Sequence, residues 1–520
     1  GETEARALVI EILQKVTQVP PILVELLVSR SEGNPYYVEE LVQMLIDQGV
    51  IHTGGERWWV VLKKLAELQV PATLTAVLQA RLDRLSPGQK ETLQQASVVG
   101  RVFWDAVLAE LGAGAKERLG ELAGRELVVP RRESAFAGMA EYIFKHALLR
   151  DVTYETVLKR IRRGYHRLVG SWLVAAAEAN GRTEEYAAII GGHYELAGER
   201  VEAAGWYGRA GKQAAGQFDS EAAEEWLGRA LALTPEGEWA ARYELLRARE
   251  GVYHLGGERE KQAADLAMLS ELAGVTGKTT QAPSLWAAEL LIRQAAYAGA
   301  VSDYPAAATA ASDAVTRAEA IGDGTLASAA LARWGDALWR QGEYAGARER
   351  YLTGWARAEA ADAPAELADN LKGLGIVAYE QGAYARAREH YEAALGIYRE
   401  IGDRQGESAC LGNLGLVAAD QGDYAGARKH HEASLVIARE IGYLRAESIR
   451  LNNLGVAARD QGDYVRAREY HEAALAIYRQ IGYRRGESIC LVNLGVVARN
   501  QADYVGAQEY YGAALAIARE

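Results

Sequence analysis

The chain has 520 residues, of which 49% are hydrophobic and 25% are charged. That length exceeds what one hydrophobic core organises, so we expect several packed units or a repeating architecture. The formal net charge of -12 repels polyanions at long range, which argues against nucleic acid or an anionic membrane as a partner of the whole chain. The sequence has neither a long apolar run nor a charged-then-apolar leader, so we expect a cytoplasmic protein.

The N-terminal region predicts short helices. Residues 3–49 follow helical periodicity and predict three helices, and ERWWVV, residues 56–61, predicts a strand pair. Residues 71–85 predict a helix that Pro71 opens, and Pro87 with Gly88 predicts a turn of the chain.

A small sheet is expected next. After another helix over 93–99, the segment 124–146 predicts two short strands around a polar turn. Helices closed by a two-stranded wing indicate a winged helix.

Three features of this region invite a functional interpretation. The GNP turn of Gly33, Asn34 and Pro35 is typical of a loop followed by a helix start, because proline has a fixed φ that suits the first helical turn. His146 and Asp151 could indicate acid-base catalysis, but no nucleophile is positioned beside them, so we favour a structural histidine.

The third feature is a run of basic residues. Its members are Lys159, Arg160, Arg162, Arg163, His166 and Arg167. Contact with a DNA backbone is one interpretation. Because the overall field is negative, we favour a solvated face or an intramolecular dock for an acidic surface.

Residues 170–290 predict divergent helical hairpins, since stretches such as 192–214 and 220–233 are rich in alanine and anchored by aromatic residues. Within them, GVTGKTT, residues 274–280, resembles a phosphate-binding loop. The first glycine of that motif should be residue 272, which is Leu272, and the flanks predict helices rather than a strand. We therefore interpret this segment as a loop between hairpins.

From about residue 290 the sequence repeats every forty residues. That offset aligns Tyr304, Tyr344, Tyr384, Tyr424, Tyr464 and Tyr504. A fixed period of this length is typical of a solenoid, because one unit cannot bury its apolar face alone. In residues 451–478 two helical stripes flank the helix-breaking QGD, so each repeat predicts a helical hairpin.

Some repeated positions are explained by packing. Gly455 inside a helix costs about 1 kcal/mol relative to alanine, so we expect it to let the paired helices approach closely. Cys410 and Cys490 stand at the same place in two repeats with one repeat between them, too far apart for a disulfide, and should be reduced core residues. His430 and His431 lie on a repeat helix and lack the spacing of metal ligands, which favours packing.

Packing leaves a recurring asparagine unexplained. Asn413, Asn453 and Asn493 each stand two residues before the repeated glycine, and Arg459 and Arg499 follow the last two glycines by four residues. Six residues along a helix correspond to about 240° after a full turn is removed, so Asn and Arg flank a groove wall rather than share a line. We expect these five residues to bind a peptide, whereas capping or bridging between hairpins is the alternative for the asparagines.

The spacing within a unit resembles the tetratricopeptide repeat and distinguishes it from HEAT or armadillo repeats of similar length. The family pattern is matched by Leu451, Leu454-Gly455, Gly462 and Tyr464, Ala467, His471 and Ala474-Leu475. The resemblance covers about residues 290–520. It implies a superhelix whose asparagines face the concave groove.

The N-terminal segments resemble another family. SEGNPYYVEELVQMLIDQGVI, VPATLTAVLQARLDRLSPGQKETLQQASVVGRVF and YIFKHALLRDVTYETVL are similar to the lid and winged-helix portion of bacterial STAND signalling ATPases. The resemblance implies that Gly33, Asn34 and Pro35 belong to a lid that closes over the nucleotide. Because the chain lacks the phosphate-binding loop, we expect no enzyme activity from it, with ATP or ADP bound only in the full-length protein.

Together these patterns predict a mainly α fold: a helical lid and a winged helix followed by an α-solenoid. The expected domains are 1–69 (lid-like), 70–168 (winged helix), 169–290 (divergent hairpins) and 291–520 (regular repeats).

The expected function is sensing. The superhelix would recognise a protein or peptide trigger and relay it through the winged helix to the missing ATPase domain, with oligomerisation on activation as a further expectation. The alternatives are a constitutive scaffold and a fragment of a transcriptional regulator. The start at Gly1 and the absence of a capping helix before Glu520 suggest an excised segment whose chain continues or whose end self-associates.

Overall fold

The computed structural model of the chain describes residues 2–31, 33–53, 57–66, 71, 73–112, 114–276 and 282–519. It divides into two compact units, Gly1–Ala203 and Ala204–Glu520. Helices predominate throughout the described ranges, which confirms the mainly α fold class.

The first unit begins with three packed helices, as expected for residues 3–49. They are α1 (Glu2–Ile12), α2 (Pro21–Ser31) and α3 (Pro35–Asp47). Their apolar faces share one core that includes Val9, Leu23 and Leu41. The antiparallel strands β1 (Ile51–His52) and β2 (Trp59–Val60) and the short helix α4 (Leu62–Ala66) follow. ERWWVV therefore supplies only one of the two predicted strands, and the other lies upstream.

The next elements form a winged helix. They are α5 (Leu74–Leu82), α6 (Pro87–Val99), β3 (Val102–Trp104), α7 (Asp105–Leu111), α8 (Ala115–Gly124), β4 (Val128–Pro130), β5 (Glu141–Phe144) and α9 (Ala147–Glu155). The three strands form an antiparallel sheet in the order β3-β5-β4. Strands β4 and β5 are the wing that the sequence predicts, and β3 joins them as a third strand.

Two predictions in this region need correction. Pro87 begins α6 instead of turning the chain, because Ser86 and Gln89 form a reciprocal capping box and proline fits the first helical position, where its missing N–H is not needed. The preceding helix begins at Leu74 rather than at Pro71, because the Thr73 side chain accepts a hydrogen bond from the Ala76 amide and caps it. Strand β3 was not expected, since three residues are too few to show alternation.

Two long helices complete the first unit, α10 (Lys159–Ala179) and α11 (Thr183–Ala197). Aromatic rings fasten them to the winged helix. Phe136 lies 4.9 Å from Trp104 and 5.7 Å from Trp172 of α10, measured between ring centroids. The same ring lies 4.9 Å from Tyr186 of α11.

The second unit is built from helical hairpins. Helix α12 (Arg200–Gly216) contains the boundary between the units. The later helices are α13 (Ser220–Leu233), α14 (Trp239–Gly256), α15 (Arg259–Thr276), α16 (Ala282–Ala300), α17 (Tyr304–Ala320), α18 (Gly324–Arg340), α19 (Tyr344–Ala360), α20 (Pro364–Glu380), α21 (Tyr384–Ile401), α22 (Arg404–Asp420), α23 (Tyr424–Glu440), α24 (Leu444–Asp460), α25 (Tyr464–Gln480), α26 (Arg484–Asn500) and α27 (Tyr504–Arg519). The repeated tyrosines thus begin the second helix of each hairpin from α16 to α27.

Of GVTGKTT, the first three residues end α15, and the remaining four lie outside the described residues, as does the loop predicted there.

The repeated residues explain the hairpin. Gly462 has a left-handed φ of 80° that ends the first helix, and the Asp463 side chain caps the second by accepting a hydrogen bond from the Arg466 amide at 3.2 Å. A Cβ on Gly455 would lie 2.6 Å from Cε1 of His471. This contact confirms the close approach that the glycine predicts and shows that a ring of the second helix fills the space.

The other packing predictions are also confirmed. Cys410 and Cys490 are free and buried. His431 is 2% exposed, and its ring packs on Gly415 as that of His471 packs on Gly455.

The array curves so that the first helix of each hairpin lies on its inner side. The first helices are α16, α18, α20, α22, α24 and α26. Consecutive members of this set contact each other, and each also contacts its own hairpin partner. Helices that approach their equivalents in this way define the concave wall of a solenoid. The array also completes a turn, because α14 contacts α24.

Candidate functional site

The concave wall carries one position that recurs every forty residues. Its occupants are Arg293, Arg333, Gly373, Asn413, Asn453 and Asn493. Side chains at this position reach a neighbouring first helix: Arg333 pairs with Asp369 of α20, and Asn493 bonds Asn452 of α24. The position therefore lies between consecutive repeats on the inner wall.

In the earlier repeats this position belongs to a charged network. Arg333 lies 3.0 Å from Asp336 and 3.3 Å from Asp369, and Lys372 lies 2.5 Å from Asp369. The Tyr398 hydroxyl donates to Asp369 at 2.6 Å. Burial alone would raise the pKa of Asp369, but Lys372 and Arg333 outweigh burial and hold that pKa well below its ordinary range.

A second network precedes the first. Arg293 lies 2.5 Å from Glu250 of α14 and 3.7 Å from Glu289 of its own helix. Arg247 of α14 lies 2.8 Å from Glu289. The inner wall from α14 to α20 is therefore lined by arginines whose charges are met by carboxylates of the same or the neighbouring helix.

In the later repeats the same position is neutral. Among the described residues, the side chains of Asn413 and Asn453 have no hydrogen-bond partner, and both residues are partly exposed. Asn493 Nδ2 instead donates to the side-chain oxygen Oδ1 of Asn452 at 3.0 Å, and His471 Nδ1 lies 3.0 Å from the same oxygen. Two of the three predicted asparagines thus have unused amides, and the third bridges hairpins.

The two predicted arginines do not extend this line. Arg459 pairs with its neighbour Asp460 at 2.7 Å. Arg499 is exposed at the end of α26 and forms no ion pair with any described residue.

Sequence reasoning missed the charged networks and Asn452. The forty-residue register would have revealed Arg293 and Arg333, because they occupy the asparagine position in earlier copies. No pattern distinguishes Asn452, which is 9% exposed and is identified only by its contacts.

The nucleotide-lid residues lie at the start of α3. Gly33 has a left-handed φ of 81°, and the Asn34 side chain accepts hydrogen bonds from the amides of Tyr36 and Tyr37 at 3.1 and 3.4 Å. Pro35 is the first residue of the helix. These contacts account for the turn as a helix start, and the nucleotide role stays a prediction.

Tyr36 connects this turn to the winged helix. Its ring lies 3.6 Å from that of His146, which precedes α9. Tyr36 Oη and His146 Nε2 are both buried without a hydrogen-bond partner. His146 lies 4.0 Å from Glu39. Within the described part of the chain it forms neither a hydrogen bond nor an ion pair with Asp151, so the geometry offers no catalytic pair.

The basic run is divided among several environments. Arg162 pairs with Glu155 at 3.2 Å, and Arg167 pairs with Glu199. His166 is 1% exposed, which corrects its placement on a solvated basic face. These contacts leave Lys159, Arg160 and Arg163 as the exposed remainder.

His166 belongs to a buried hydrogen-bonded chain. Its Nε2 lies 2.9 Å from the Tyr154 hydroxyl, and its Nδ1 lies 2.9 Å from Nδ1 of His193. Burial lowers the pKa of His166 to about 4 and that of His193 to about 3. Both rings are therefore neutral near pH 7 and act as structural links between α9, α10 and α11.

Within the described residues no group of three or more histidine, cysteine, aspartate or glutamate side chains is arranged to hold a metal ion. None of the helices there combines the length and apolar character needed to cross a bilayer.

Comparison with known proteins identifies the repeat. Residues 366–440 and 447–520 match the tetratricopeptide repeat family model. No curated protein sequence matches the chain.

Solved structures extend the comparison to the whole chain. A Signal Transduction ATPase with Numerous Domains (STAND) protein with a tetratricopeptide repeat sensor, from Pyrococcus horikoshii, is 13% identical and covers 99% of this chain and 71% of its own, with a TM-score of 0.50. At this identity the likeness concerns the fold alone.

Two other structures match part of the chain. The apo quorum sensor NprR from B. thuringiensis is 15% identical over 65% of this chain and 98% of its own, with a TM-score of 0.44. A Rap protein complexed with Competence and Sporulation Factor is 17% identical over 55% of this chain and 77% of its own, with a TM-score of 0.43.

The spacing of the packing residues, the stacked hairpins and the family match agree with one another. Residues 366–440 and 447–520 are therefore tetratricopeptide repeats, and the chain has the fold of a STAND protein with a tetratricopeptide repeat sensor.

Proposed function

We propose that the concave wall of the array binds an extended segment of a partner protein. Asn413 and Asn453 would hold the backbone of that segment through hydrogen bonds. The observation that carries this proposal is the pair of unused amides at equivalent places in consecutive repeats. An amide both donates and accepts, so it can bond a peptide backbone without requiring one particular side chain.

The spacing suits an extended ligand. Packed helices lie about 8–10 Å apart, and three residues of an extended chain span about 10 Å. One amide would therefore engage about every third residue of the bound segment. Asn493 contributes less in this proposal, because its amide already bonds Asn452.

The test is selection of peptides from a random library on the immobilised chain, followed by titration of the selected peptides. Replacing Asn413 and Asn453 together with alanine should weaken binding about tenfold or more, since two hydrogen bonds are worth about 1 kcal/mol each or somewhat more. Glu432→Ala, on the second helix α23, is the matched control and should leave affinity unchanged. Equal affinity of the double variant and the wild-type chain would refute the proposal.

We further propose that the bound partner signals through the winged helix to a nucleotide-binding domain of the full-length protein. The STAND-like fold supports this step, and the buried polar atoms Tyr36 Oη and His146 Nε2, which lack partners, fit a polar group at the lid. Gly33, Asn34 and Pro35 would shape the lid over a bound ATP or ADP. The nucleotide would supply the phosphate chemistry. The chain itself would not hydrolyse ATP.

This relay has a clear alternative, a constitutive scaffold. Hydrogen exchange of the full-length protein with ADP and with ATP separates them: the relay predicts different protection of the array, and identical profiles favour the scaffold. A steady-state assay of the present chain should show no ATP turnover. A cytoplasmic location remains part of the proposal.

The transcriptional alternative requires DNA binding through the basic run. The ion pairs of Arg162 and Arg167 and the burial of His166 weigh against it. Unchanged mobility of DNA in the presence of the chain at low salt would exclude it.

A further inference from the structure

Successive turns of the superhelix meet along a line, which we call the seam. Its contacts join residues that are distant in sequence. A Cβ on Gly257 would lie 2.8 Å from Cγ2 of Ile481, and one on Gly442 would lie 4.0 Å from the carbonyl oxygen of Phe218. The seam thus places the connection after α14 beside that after α25, and the connection after α12 beside that after α23.

Four arginines lie at the seam, and we call them the seam arginines. They are Arg259, Arg340, Arg445 and Arg485. The charge of Arg445 is felt by Arg259 and Arg340, and Arg340 and Arg485 both act electrostatically on Tyr304. Arg259 begins α15 and Arg340 ends α18, whereas Arg445 and Arg485 are the second residues of α24 and α26. Arg485 reaches across the seam and lies 3.4 Å from the Tyr304 hydroxyl. Cations from both edges are therefore brought together only by the superhelical turn.

None of the seam arginines forms an ion pair with a carboxylate of any described residue. Arg259 donates to the His254 carbonyl oxygen at 3.2 Å and to Gln262 at 2.5 Å. Arg340 lies 4.0 Å from the ring centroid of Trp339, and Arg445 lies 4.7 Å from that of Tyr483. Aromatic faces and neutral acceptors thus take the place of counterions.

Two carboxylates that favour the charged form of the seam arginines are engaged elsewhere. The charge of Glu250 favours the protonated form of Arg259, but Glu250 forms its ion pair with Arg293 at 2.5 Å. The charge of Asp336 favours the protonated form of Arg340, but Asp336 forms its ion pair with Arg333 at 3.0 Å. These two carboxylates therefore neutralise the seam arginines only in part.

Repulsion by Arg445 contributes to the lowered pKa values of two seam arginines. Burial and the positive charge of Arg445 lower the pKa of Arg259 and also that of Arg340. Burial, together with Arg259, Arg333 and Arg445, lowers the pKa of His254 to about 3 and keeps that ring neutral. Like charges held together without counterions make the closed seam less stable than it would be with an anion present.

We propose that the seam arginines bind an acidic segment of the partner protein, in which several Asp or Glu carboxylates bridge the two edges of the seam. This inference rests on the proposed function, because the same partner would continue along the concave wall. Guanidinium groups recognise carboxylates with paired, charge-assisted hydrogen bonds. Neutralising both edges at once favours the closed turn, so binding of the acidic segment tightens the superhelix.

The probe is a fluorescein-labelled poly-glutamate peptide of about ten residues, which spans about 33 Å when extended. Its glutamine counterpart has the same length and no charge. Fluorescence anisotropy should show binding of the glutamate peptide to the wild-type chain, weakening as salt rises, and no binding of the glutamine peptide.

The decisive variant replaces Arg340 and Arg445 together with glutamine. We expect about tenfold or more loss of affinity for the glutamate peptide, since each charge-assisted hydrogen bond contributes substantially. We also expect the Tm of the free variant to stay level or rise by about a degree, because repulsion is relieved. Arg428→Gln removes an arginine that pairs with Glu432 on α23 and should change neither quantity.

Several results would overturn the proposal. They are unchanged glutamate-peptide binding by the double variant, a lower Tm of that variant in the absence of peptide, and equal or tighter binding of a single-stranded DNA of similar length. Competition by inorganic phosphate at the same concentration as the peptide carboxylates would also count against it, since it would indicate a general anion site.

The experiments distinguish failure of the seam inference from failure of the proposed function. If the glutamate peptide fails to bind while library peptides still depend on Asn413 and Asn453, the seam inference fails and the concave wall retains its function. If the glutamate peptide binds through the seam arginines and the asparagine variant has no effect, the proposed backbone contacts fail and the acidic site stands.

Discussion

The earlier repeats, α16 to α21, and the later repeats, α22 to α27, share one packing scheme and differ in two kinds of side chain. On the concave wall, Arg333 of the earlier set corresponds to Asn453 of the later set. Over the helix-pair glycine, Tyr351 of the earlier set corresponds to His431. In α22 to α25 the first difference replaces ion-paired arginines with amides that lack a partner among the described residues, and the second replaces a phenol ring with an imidazole ring. The last repeat differs, because Asn493 bonds Asn452 and Tyr511 lies over Gly495.

The comparison separates stability from recognition. The earlier wall satisfies its own charges, as Arg333, Asp369 and Lys372 do. The later wall leaves Asn413 and Asn453 available. Ligand contact through hydrogen bonds is therefore expected in the later repeats, whereas charge networks hold the earlier ones.

The largest expected effect is a difference between the two sets of repeats in how much stability they lose as the pH falls. Burial lowers the pKa of His431 to about 3 and that of His471 to about 4, below the ordinary 6.5. Because the folded values are depressed, their contribution to stability is complete above pH 6.5 and is lost as pH falls toward those values. Lowering the pH to about 4 should cost about 3 kcal/mol at each site.

Hydrogen exchange at pH 7 and at about pH 4 measures this loss, with protection falling in α22 to α25 more than in α18 to α21. Replacing His431 and His471 with tyrosine, as found at Tyr391, is the control and should abolish the difference. Equal acid sensitivity of both sets in the wild-type chain would contradict the prediction.

The next effect tests the charged wall. Asp369→Ala leaves Arg333 and Lys372 without their shared carboxylate in a site where the Asp369 side chain is 29% exposed. We expect a loss of about 2–4 kcal/mol in the free energy of unfolding of the surrounding repeats. Asp460→Ala, in the later set, removes only a pair with the adjacent Arg459 and should cost about 0.5 kcal/mol or less. Urea denaturation followed by tryptophan fluorescence and circular dichroism compares the two variants.

A third prediction probes the packing that both sets share. A Cβ would lie 2.6 Å from the facing ring at Gly335 and at Gly455. Replacement of either glycine with alanine should therefore destabilise its repeat by about 1–3 kcal/mol. Gly396, within α21, has no atom within 4 Å of an added Cβ, and its replacement with alanine should stabilise the helix by about 0.5–1 kcal/mol. A difference between Gly335 and Gly455 of more than about 1 kcal/mol would show that packing is not equivalent in the two sets.

The smallest effect separates the asparagines from one another. Asn493→Ala removes the bond to Asn452 and should lower stability by about 1 kcal/mol. Asn413→Ala removes a side chain without a partner among the described residues and should be neutral within about 0.5 kcal/mol. Thermal denaturation of the single variants measures this difference, and equal costs would indicate that Asn413 has a structural role.

Many features of the fold were predictable because their causes are local in sequence. The hairpins follow from Gly462, Asp463 and Tyr464, whose turn and capping geometry involves neighbouring residues. The role of Gly455 followed from the cost of a helical glycine. Strand β3 was missed because its pairing partner lies about forty residues away and its own pattern is too short.

The candidate site was only partly predictable. The recurrence of asparagine pointed to the concave wall, and two of the three side chains remain available there. Spacing could not show that Asn493 bonds Asn452, because that contact depends on the offset between stacked hairpins. The sequence likewise could not predict that Arg333 pairs with Asp369, because that ion pair joins two consecutive first helices.

The sequence by itself determined the repeat, the helix boundaries within it and the residues that make one hairpin pack on the next, since these depend on period, capping and side-chain size. Only the tertiary structure decided which polar residues are paired and which remain free. It also decided that Arg259 and Arg445 meet at a seam. The physical reason is that such contacts depend on the superhelical pitch. The pitch is the sum of many small rotations between repeats, so no single segment of the sequence determines it.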